Sequence, residues 1–382
     1  MISLNRKTIQ FLTQAAFCAG LLSVSHPTHA QNTLSAANIS SNVRSSQFEQ
    51  LCFQRSVACE EIGKAAYMAT GLIYQLFDAE RVADKTKRQN AIAQINRLYG
   101  ARQIDVVNKR LKLSDFFIVK RDKVFGGYAV LIRQPVRQRL GRKKVSYIVA
   151  FKGTYFGIDD PNDIIANVSG TPVNLYKKAA VLLHEGFKNY AASVFADPTS
   201  KKFVAEILSA QDRPNTEVEV LITGHSLGSA SILYAALLEE AGVLPDNMRV
   251  ISFGAPAFTQ RNFQQRYSRL IANTTRVETE GDVLGYEKPG LLRPIYDSFS
   301  YLPLGNLVKT VAPQEYRDLL KQRELVEKEY QATQSQQART TSLNLLKKIF
   351  AAQSNIHVYS YRYYHDYYLK SQGASFTRNG DR

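Results

Sequence analysis

The pentapeptide Gly-His-Ser-Leu-Gly at residues 224–228 has the spacing of a nucleophile elbow. In such an elbow a serine occupies a sharp turn between a strand and a helix, and small flanking residues let the two elements approach each other. A β-forming run, Val218 to Thr223, precedes the motif, and a helix-forming run, Ala230 to Ala241, follows it. This context predicts that Ser226 is a nucleophile at the carboxyl end of a strand.

A serine hydroxyl is a weak nucleophile at neutral pH, so it needs a histidine base and a carboxylate that orients the base. After an elbow of this kind the carboxylate and the histidine follow the serine in that order. Asp282 comes directly after Gly281 at the predicted end of a strand, from which its carboxylate can turn toward the serine. We therefore favour Asp282 over the alternatives Glu278 and Glu280, one of which should lie within the strand by alternation.

Two histidines, His357 and His365, follow Asp282 and are the candidates for the base. His357 follows a polar loop, whereas His365 lies in a tyrosine-rich run that fits either a similar loop or a helix. We favour His357, because a base on a loop reaches the serine more readily than one inside a helix, and we keep His365 as the alternative. His184 is interpreted as structural, and His225 is expected to point away from the serine.

The elements that must position these residues follow from hydrophobic periodicity. Before residue 113 apolar residues recur at intervals of three and four, which predicts helices. Beyond it, short β-rich runs alternate with helical stretches, and this order favours parallel strands joined by right-handed crossovers. The predicted fold class is α/β, with a mostly parallel sheet, flanking helices, an N-terminal helical cap and a helical insertion before the catalytic histidine.

The chain of 382 residues divides into five predicted segments. It opens with two basic residues, an apolar run and a small-residue site ending at Ala30. This pattern is typical of a cleaved signal peptide and predicts export to the periplasm or the extracellular medium. The predicted boundaries are 1–30 for the signal peptide, 31–47 for a flexible leader, 48–112 for the N-terminal helical region, 113–288 with 353–382 for the α/β domain, and 289–352 for the helical insertion.

The chain carries 49 Lys and Arg against 33 Asp and Glu, and its formal charge of +16 predicts attraction to polyanions. The signal peptide and the lack of a recognisable nucleic-acid-binding pattern argue against nucleic acid and favour peripheral contact with an anionic membrane. Lys347 and Lys348 lie beside apolar residues of the stretch 343–352. This stretch is therefore either a solvated satellite helix or a basic amphipathic surface that lies on a membrane. Because no His or Cys cluster has metal-ligand spacing, we expect neither a metal nor a cofactor.

Two cysteines, Cys52 and Cys59, remain once the signal peptide is removed. In an oxidising compartment such a pair could form a local disulfide. Their spacing also places both side chains on one face of a helix, where they would be two buried thiols. The sequence leaves both alternatives open.

Five stretches taken together, in this order, resemble the class 3 lipase family of α/β hydrolases over about residues 147–368. They are residues 148–154, 184–187, the elbow, 253–256 and 281–283. The resemblance implies that Ser226 and Asp282 act with one of the two histidines as a triad. It also implies an oxyanion hole made by Thr154 and the backbone N–H of Leu227, and each such donor is worth roughly 3–4 kcal/mol.

The resemblance implies a secreted serine hydrolase that cleaves carboxylic esters of lipids through an acyl-enzyme, either a phospholipase A or a lipase. The basic charge favours phospholipid as substrate, with neutral acylglycerol as the alternative. A different class of function is a catalytically inactive protein that keeps the fold and binds an anionic membrane or a polysaccharide. That reading requires a defective triad, and every triad position has a candidate in this sequence.

Overall fold

Strands alternate with helices along the part of the chain that the computed structural model describes. The described residues are 65–66, 69–71, 73–74, 76–77, 85–99, 103–108, 127–134, 136–139, 141–153, 172–175, 181–243, 245, 247–282, 284–285, 293–310, 312–349, 352 and 356–357. The predicted signal peptide, the leader, the cysteine pair, Thr154 and His365 lie outside these residues.

The strands form one large sheet and one small antiparallel pair. The strands are β1 (Gln103–Asn108), β2 (Tyr128–Arg133), β3 (Arg137–Arg139), β4 (Arg142–Phe151), β5 (Pro172–Asn174), β6 (Leu182–His184), β7 (Thr216–His225), β8 (Asn247–Phe253), β9 (Thr274–Thr279) and β10 (Asn306–Thr310). The large sheet has the order β1-β2-β4-β7-β8-β9-β10, with β3 paired to β4, and β5 pairs with β6.

Helices connect and cover these strands. They are α1 (Lys85–Tyr99), α2 (Glu185–Phe195), α3 (Pro198–Gln211), α4 (Ser231–Glu240), α5 (Arg261–Arg266), α6 (Ser268–Ala272), α7 (Arg293–Ser298) and α8 (Gln314–Thr333), with a 3-10 turn at Ser226–Ala230. Residues 336–349 are also helical.

The order of pairing confirms the predicted α/β fold with a mostly parallel sheet. From β4 to β10 every neighbouring pair on the main path is parallel. The edge strands β1 and β2 and the short β3 are antiparallel to their neighbours. Because parallel strands end at the same edge, the segments that follow β4, β7, β8 and β9 all begin at one edge of the sheet.

The parallel strands are covered on both faces, which is why they read as continuous apolar runs. In β4, Val149 and Phe151 pack with residues of α2, α3 and α4 on one face. Ile148 and Ala150 point to the other face and pack with the described helical residues between 66 and 77. The N-terminal helical residues therefore cap the face of the sheet opposite α2, α3 and α4.

Strand β1 corrects the prediction that residues 48–112 are entirely helical. Its residues alternate between the two faces: Val107 joins the core under α2 to α4, while Ile104 and Val106 pack against the opposite core. Asp105 forms an ion pair with Arg133 on the neighbouring strand β2. A run of six residues with apolar side chains on both faces fits an edge strand better than another helical turn.

Strand β10 lies within residues 289–352, the segment predicted as a helical insertion, and was not predicted from the sequence. It pairs in parallel with β9 and extends the main sheet by one strand. Its alternate residues Val308 and Thr310 are buried, while Asn306 and Lys309 are exposed. The segment is therefore part sheet and part helix, since α7, α8 and residues 336–349 flank this strand.

Two apolar residues of the helix at residues 336–349 pack against the protein itself. Leu345 and Ile349 are buried, and Ile349 clusters with Tyr316 of α8. Lys347 and Lys348 are exposed. Periodicity predicted the amphipathic helix correctly, but these two apolar residues are not available to insert into a membrane. No helix among the described residues is long and apolar enough to cross a membrane.

Candidate active site

The predicted elbow lies where β7 ends. The strand finishes at His225, Ser226 opens the 3-10 turn, and α4 follows at Ser231. Ser226 has φ of 56°, in the left-handed region that residues other than glycine seldom occupy. This strained turn is the local geometry that a nucleophile elbow requires.

Two glycines let the strand and the helix of the elbow meet. A Cβ on Gly224 would lie 2.1 Å from the carbonyl oxygen of Gly228. A Cβ on Gly228 would lie 2.6 Å from the carbonyl oxygen of Phe151, at the end of β4. Both approaches are closer than carbon and oxygen atoms tolerate, so these positions require glycine for the turn to close.

Asp282 is held in the turn after β9, with both carboxylate oxygens engaged. Its Oδ1 accepts a hydrogen bond from the N–H of Leu284 at 3.0 Å. Its Oδ2 lies 2.8 Å from Nδ1 of His357, and both side chains are buried. Because an ionised carboxylate only accepts hydrogen bonds, Nδ1 of His357 is the donor. The neutral imidazole therefore keeps its basic lone pair on Nε2, as a base in a triad must.

The two acidic alternatives to Asp282 have other surroundings. Glu278 forms an ion pair with Arg276 on the same strand, and both side chains are buried. Glu280 is exposed. The carboxylate in contact with the histidine is therefore that of Asp282.

The His357 ring lies between Asp282 and the elbow. Its centroid is 4.4 Å from that of His225, the residue before the nucleophile. Gly254, with φ of 54°, passes beneath the ring, and a Cβ there would lie 2.9 Å from Cε1 of His357. Ser226 and His357 are not hydrogen-bonded to each other in this arrangement, and such bonds are often long until substrate binds.

The expectation that His357 lies on a loop is wrong. Residues 356–357 have helical conformation. The residue that this argument favoured is nevertheless the one in contact with Asp282. What decides the contact is packing, because Ile356 is buried with Tyr316 and Ile349 and so fixes the backbone next to His357.

One of the two predicted oxyanion-hole residues, Leu227, lies where the end of β4 meets the elbow. Leu227 is buried in the first turn after the nucleophile, where backbone N–H groups have no acceptor within the helix. Thr154 lies outside the described residues, but the preceding Gly153 is described. A Cβ on Gly153 would lie 2.1 Å from the carbonyl oxygen of His225, so the end of β4 touches the elbow.

Comparison with known proteins agrees with this geometry. Residues 148–286 match the family described as Lipase (class 3). This segment belongs to the class 3 lipase family. The resemblance that the motifs indicate is thereby confirmed for the part that contains Ser226 and Asp282, while His357 lies beyond the matched residues.

Proteins similar to this chain include a plant protein and several fungal lipases of known structure. The plant protein, phospholipase A1-Igamma1 of Arabidopsis thaliana chloroplasts, is 26% identical over 218 residues, which are 51% of this chain and 41% of that protein. The chain thus spans about two fifths of that relative's length. The Rhizomucor miehei lipase in complex with its propeptide is 17% identical with a TM-score of 0.42, covering 68% of this chain and 69% of that one. The lipase of Rhizopus microsporus var. chinensis is 15% identical with a TM-score of 0.43, covering 68% and 76%.

Several residues around the candidate site were not predicted from the sequence. Lys152 is buried, its Nζ lies 4.2 Å from the centre of the Phe77 ring, and it donates a hydrogen bond to the carbonyl of Gly153. Tyr296 is buried and donates to the carbonyl of Leu284, in the turn that holds Asp282. Burial, and secondarily the charge of Asp282, raise the pKa of Tyr296, so its hydroxyl stays protonated and remains a donor. No local motif marks these residues, because tertiary packing alone brings them to the site.

No metal site is evident in the part of the chain that the structure describes. Among those residues no three His, Cys, Asp or Glu side chains are grouped so that they could hold a metal ion.

Substitution of Glu278 separates the roles of the two buried carboxylates. Removing one partner of a buried ion pair leaves an uncompensated charge, which costs about 3–5 kcal/mol. We expect Glu278→Gln to lower the free energy of unfolding by about that amount, measured by denaturant titration, because Arg276 stays buried and charged. Ester hydrolysis per folded molecule should remain near that of the wild type. Lost hydrolysis with unchanged stability would instead give Glu278 the role assigned to Asp282.

Proposed function

We propose that this class 3 lipase is a serine hydrolase that cleaves the carboxylic ester bonds of lipids. The observation that carries the proposal is the buried hydrogen bond between Asp282 and His357, which lies against a strained serine elbow. Family membership supports the reaction class. The signal-like segment 1–30 suggests that the enzyme acts after export, in the periplasm or outside the cell.

The reaction follows from the positions of three side chains. Ser226 Oγ attacks the acyl carbon while His357 Nε2 takes its proton, and Asp282 stabilises the imidazolium that forms. The negative charge on the former carbonyl oxygen would be met by the N–H of Leu227 and by Thr154. The C–O bond then breaks, and the alcohol leaves with the proton from His357. Water repeats the sequence on the acyl-enzyme, which releases the fatty acid and restores Ser226.

Phospholipid is the favoured substrate within this class. One relative of this chain carries the name phospholipase A1. The formal charge of +16, or +14 once Arg6 and Lys7 leave with the predicted signal peptide, attracts anionic lipid surfaces. Neutral acylglycerol is the alternative substrate. A catalytically inactive membrane- or polysaccharide-binding protein is the alternative function, and it would leave the buried pair of Asp282 and His357 without a use.

A substrate panel tests the proposal. Wild type and Ser226→Ala would be assayed on phosphatidylglycerol, phosphatidylcholine, triacylglycerol and a soluble short-chain ester. We expect serine-dependent release of fatty acid, fastest from phospholipid. If triacylglycerol is hydrolysed fastest, the choice of phospholipid is wrong. If the folded wild type binds anionic vesicles and hydrolyses none of the four substrates, the proposed enzyme function is wrong and the alternative, a catalytically inactive binding protein, is favoured.

We also propose that Lys347 and Lys348 mediate peripheral contact with an anionic membrane. They are exposed on the helix whose Ile349 packs with Tyr316, and the Tyr316 hydroxyl donates to the carbonyl of Gly281, next to Asp282. The two cations therefore belong to the body that forms the active-site edge. Leu345 and Ile349 are buried and cannot insert into the membrane, so the proposed contact rests on the charges of the two lysines.

Changing both lysines to glutamine should weaken binding to phosphatidylglycerol vesicles. Each cation near an anionic surface contributes about 1 kcal/mol, so loss of two predicts roughly 30-fold weaker binding at low salt. Sedimentation with vesicles would measure the affinity. Hydrolysis of a soluble short-chain ester should stay unchanged, because neither lysine contacts the triad.

The matched control removes the same charge at the opposite end of the sheet. Arg137 and Arg142 are exposed on the hairpin of β3 and β4, and the length of β4 separates them from the active-site edge by about 23–30 Å. Changing both to glutamine should affect vesicle binding less than the lysine change. Binding that is indifferent to salt and lipid charge, or that depends more on the arginines, would contradict the proposed contact.

A further inference from the structure

His225 links the N-terminal helical residues to the catalytic histidine. Its Nδ1 lies 2.9 Å from the hydroxyl of Tyr74, and its Nε2 lies 3.0 Å from the backbone carbonyl oxygen of His357. His225 is buried, and its ring packs against that of His357. The mechanism derived above gives this histidine no role.

The partners of His225 determine where its proton lies. A carbonyl oxygen only accepts hydrogen bonds, so Nε2 must carry the hydrogen. Burial, and secondarily the neighbouring His357, lower the pKa of His225 well below its ordinary value, so the ring is neutral and has one N–H. Nδ1 is then an acceptor, and Tyr74 donates to it. The hydrogen bonds run in one direction, from the Tyr74 hydroxyl through the ring to the His357 carbonyl.

This chain of hydrogen bonds completes the support around the base. Asp282 holds Nδ1 of His357, and the backbone at Gly254 passes beneath the ring. His225 holds the main chain of His357, and it is covalently joined to the nucleophile. A shift of His225 would therefore move His357 relative to Ser226. Proton transfer depends on the distance between Nε2 of His357 and Oγ of Ser226.

We propose that His225 is a positioning residue for His357 and that Tyr74 fixes the tautomer in which His225 performs this role. The N-terminal helical residues thus contribute to catalysis through Tyr74, although they lie far from the elbow in sequence. The inference rests on the proposed serine hydrolase function and deepens it.

Three variants test this role. His225→Phe keeps an aromatic ring and removes the donor, whereas His225→Gln retains an amide N–H that can reach the His357 carbonyl. Tyr74→Phe removes only the hydroxyl. The matched control is Tyr267→Phe, which removes a tyrosine hydroxyl bonded to Glu240, outside the triad and its partners. Rates would be expressed per reactive serine, titrated with a phosphonate, so that unfolded protein does not count.

The expected pattern is a loss of kcat with little change in KM. A well-placed general acid–base contributes about 10²–10⁴-fold, and misplacement should forfeit part of it, so we expect His225→Phe to lose about 10- to 100-fold on an alkyl ester. His225→Gln should recover most of the rate. Tyr74→Phe should lose about threefold to tenfold, the range expected for one neutral hydrogen bond. Tyr267→Phe should match the wild type.

Leaving-group dependence separates positioning from a general structural role. An alkoxide needs a proton from His357 to leave, whereas p-nitrophenolate leaves without one. The loss in His225→Phe should therefore be larger on the alkyl ester than on the p-nitrophenyl ester. Equal losses on both esters, or wild-type kcat in His225→Phe and Tyr74→Phe, would overturn the inference.

The result remains decisive if His225→Phe does not fold, because Tyr74→Phe and His225→Gln then carry the test. Wild-type kcat for Tyr74→Phe on the alkyl ester, or a rate for His225→Gln no better than about 1% of wild type, would overturn the proposal. Failure of the underlying function gives a different signature. In that case the folded wild type would hydrolyse no ester, or Ser226→Ala would hydrolyse esters as fast as the wild type, whatever the His225 variants show.

Discussion

Ser226→Ala should lower kcat for ester hydrolysis by on the order of 10⁴-fold or more. The substitution removes the attacking oxygen and leaves the oxyanion donors and the substrate-binding groups in place. The fold should persist, because alanine and serine both carry a Cβ and meet the same strain at the φ of 56° found at this position. Initial rates on a soluble short-chain ester, with thermal unfolding in parallel, would measure both effects.

Ser229→Ala provides the matched control for that result. Ser229 lies on the same 3-10 turn and is also buried, so the change removes a hydroxyl of the same kind three residues away. We expect Ser229→Ala to keep activity within a few-fold of the wild type, on the order of what a single ordinary substitution does. Near wild-type activity in Ser226→Ala would end the case for this elbow as the reaction centre.

His357→Asn should reduce ester hydrolysis by about 10⁴-fold, while His365→Asn should leave it near the wild type. His357 is the histidine in contact with Asp282. An asparagine amide can still donate a hydrogen bond to this carboxylate, which limits the cost of leaving Asp282 buried and unpaired. The amide cannot take a proton from Ser226. The variant therefore removes the base with the least disturbance to the fold.

The two histidine variants need to be assayed side by side, with the free energy of unfolding measured for each. The account expects lost activity at unchanged or slightly reduced stability in His357→Asn. The reverse pattern, with His365→Asn inactive and His357→Asn active, would transfer the role of base to His365. The contact between His357 and Asp282 would then be purely structural.

The nucleophile and the carboxylate could be predicted from the sequence because their signals are local. Ser226 lies between an adjoining strand and helix, and Asp282 follows its own strand directly. Both sit at carboxyl ends of parallel strands, and such ends share one edge of the sheet. The base follows no such rule. Its position depends on how α8 and residues 336–349 pack, and periodicity does not specify that packing.

The missed elements have a common physical cause. Strands β1 and β10 are short, and their pairing to β2 and β9 stabilises them more than their own propensity does. Likewise, the sequence of an amphipathic helix predicts which face is apolar but not which residues pack against that face. In the helix at 336–349, Ile349 is covered by Tyr316 and its neighbours and belongs to the protein core, whereas Leu343 stays exposed.

Covalent labelling with a fluorophosphonate that carries an alkyl chain tests the central claim most directly. The phosphorus is attacked by the serine that His357 activates, fluoride leaves, and a stable phosphonyl ester remains on the enzyme. Peptide mapping by mass spectrometry would then locate the adduct. The account predicts a single adduct on Ser226, formed in step with loss of ester hydrolysis and slowed strongly in His357→Asn. An adduct on another residue, or full hydrolytic activity after Ser226 is modified, would contradict it.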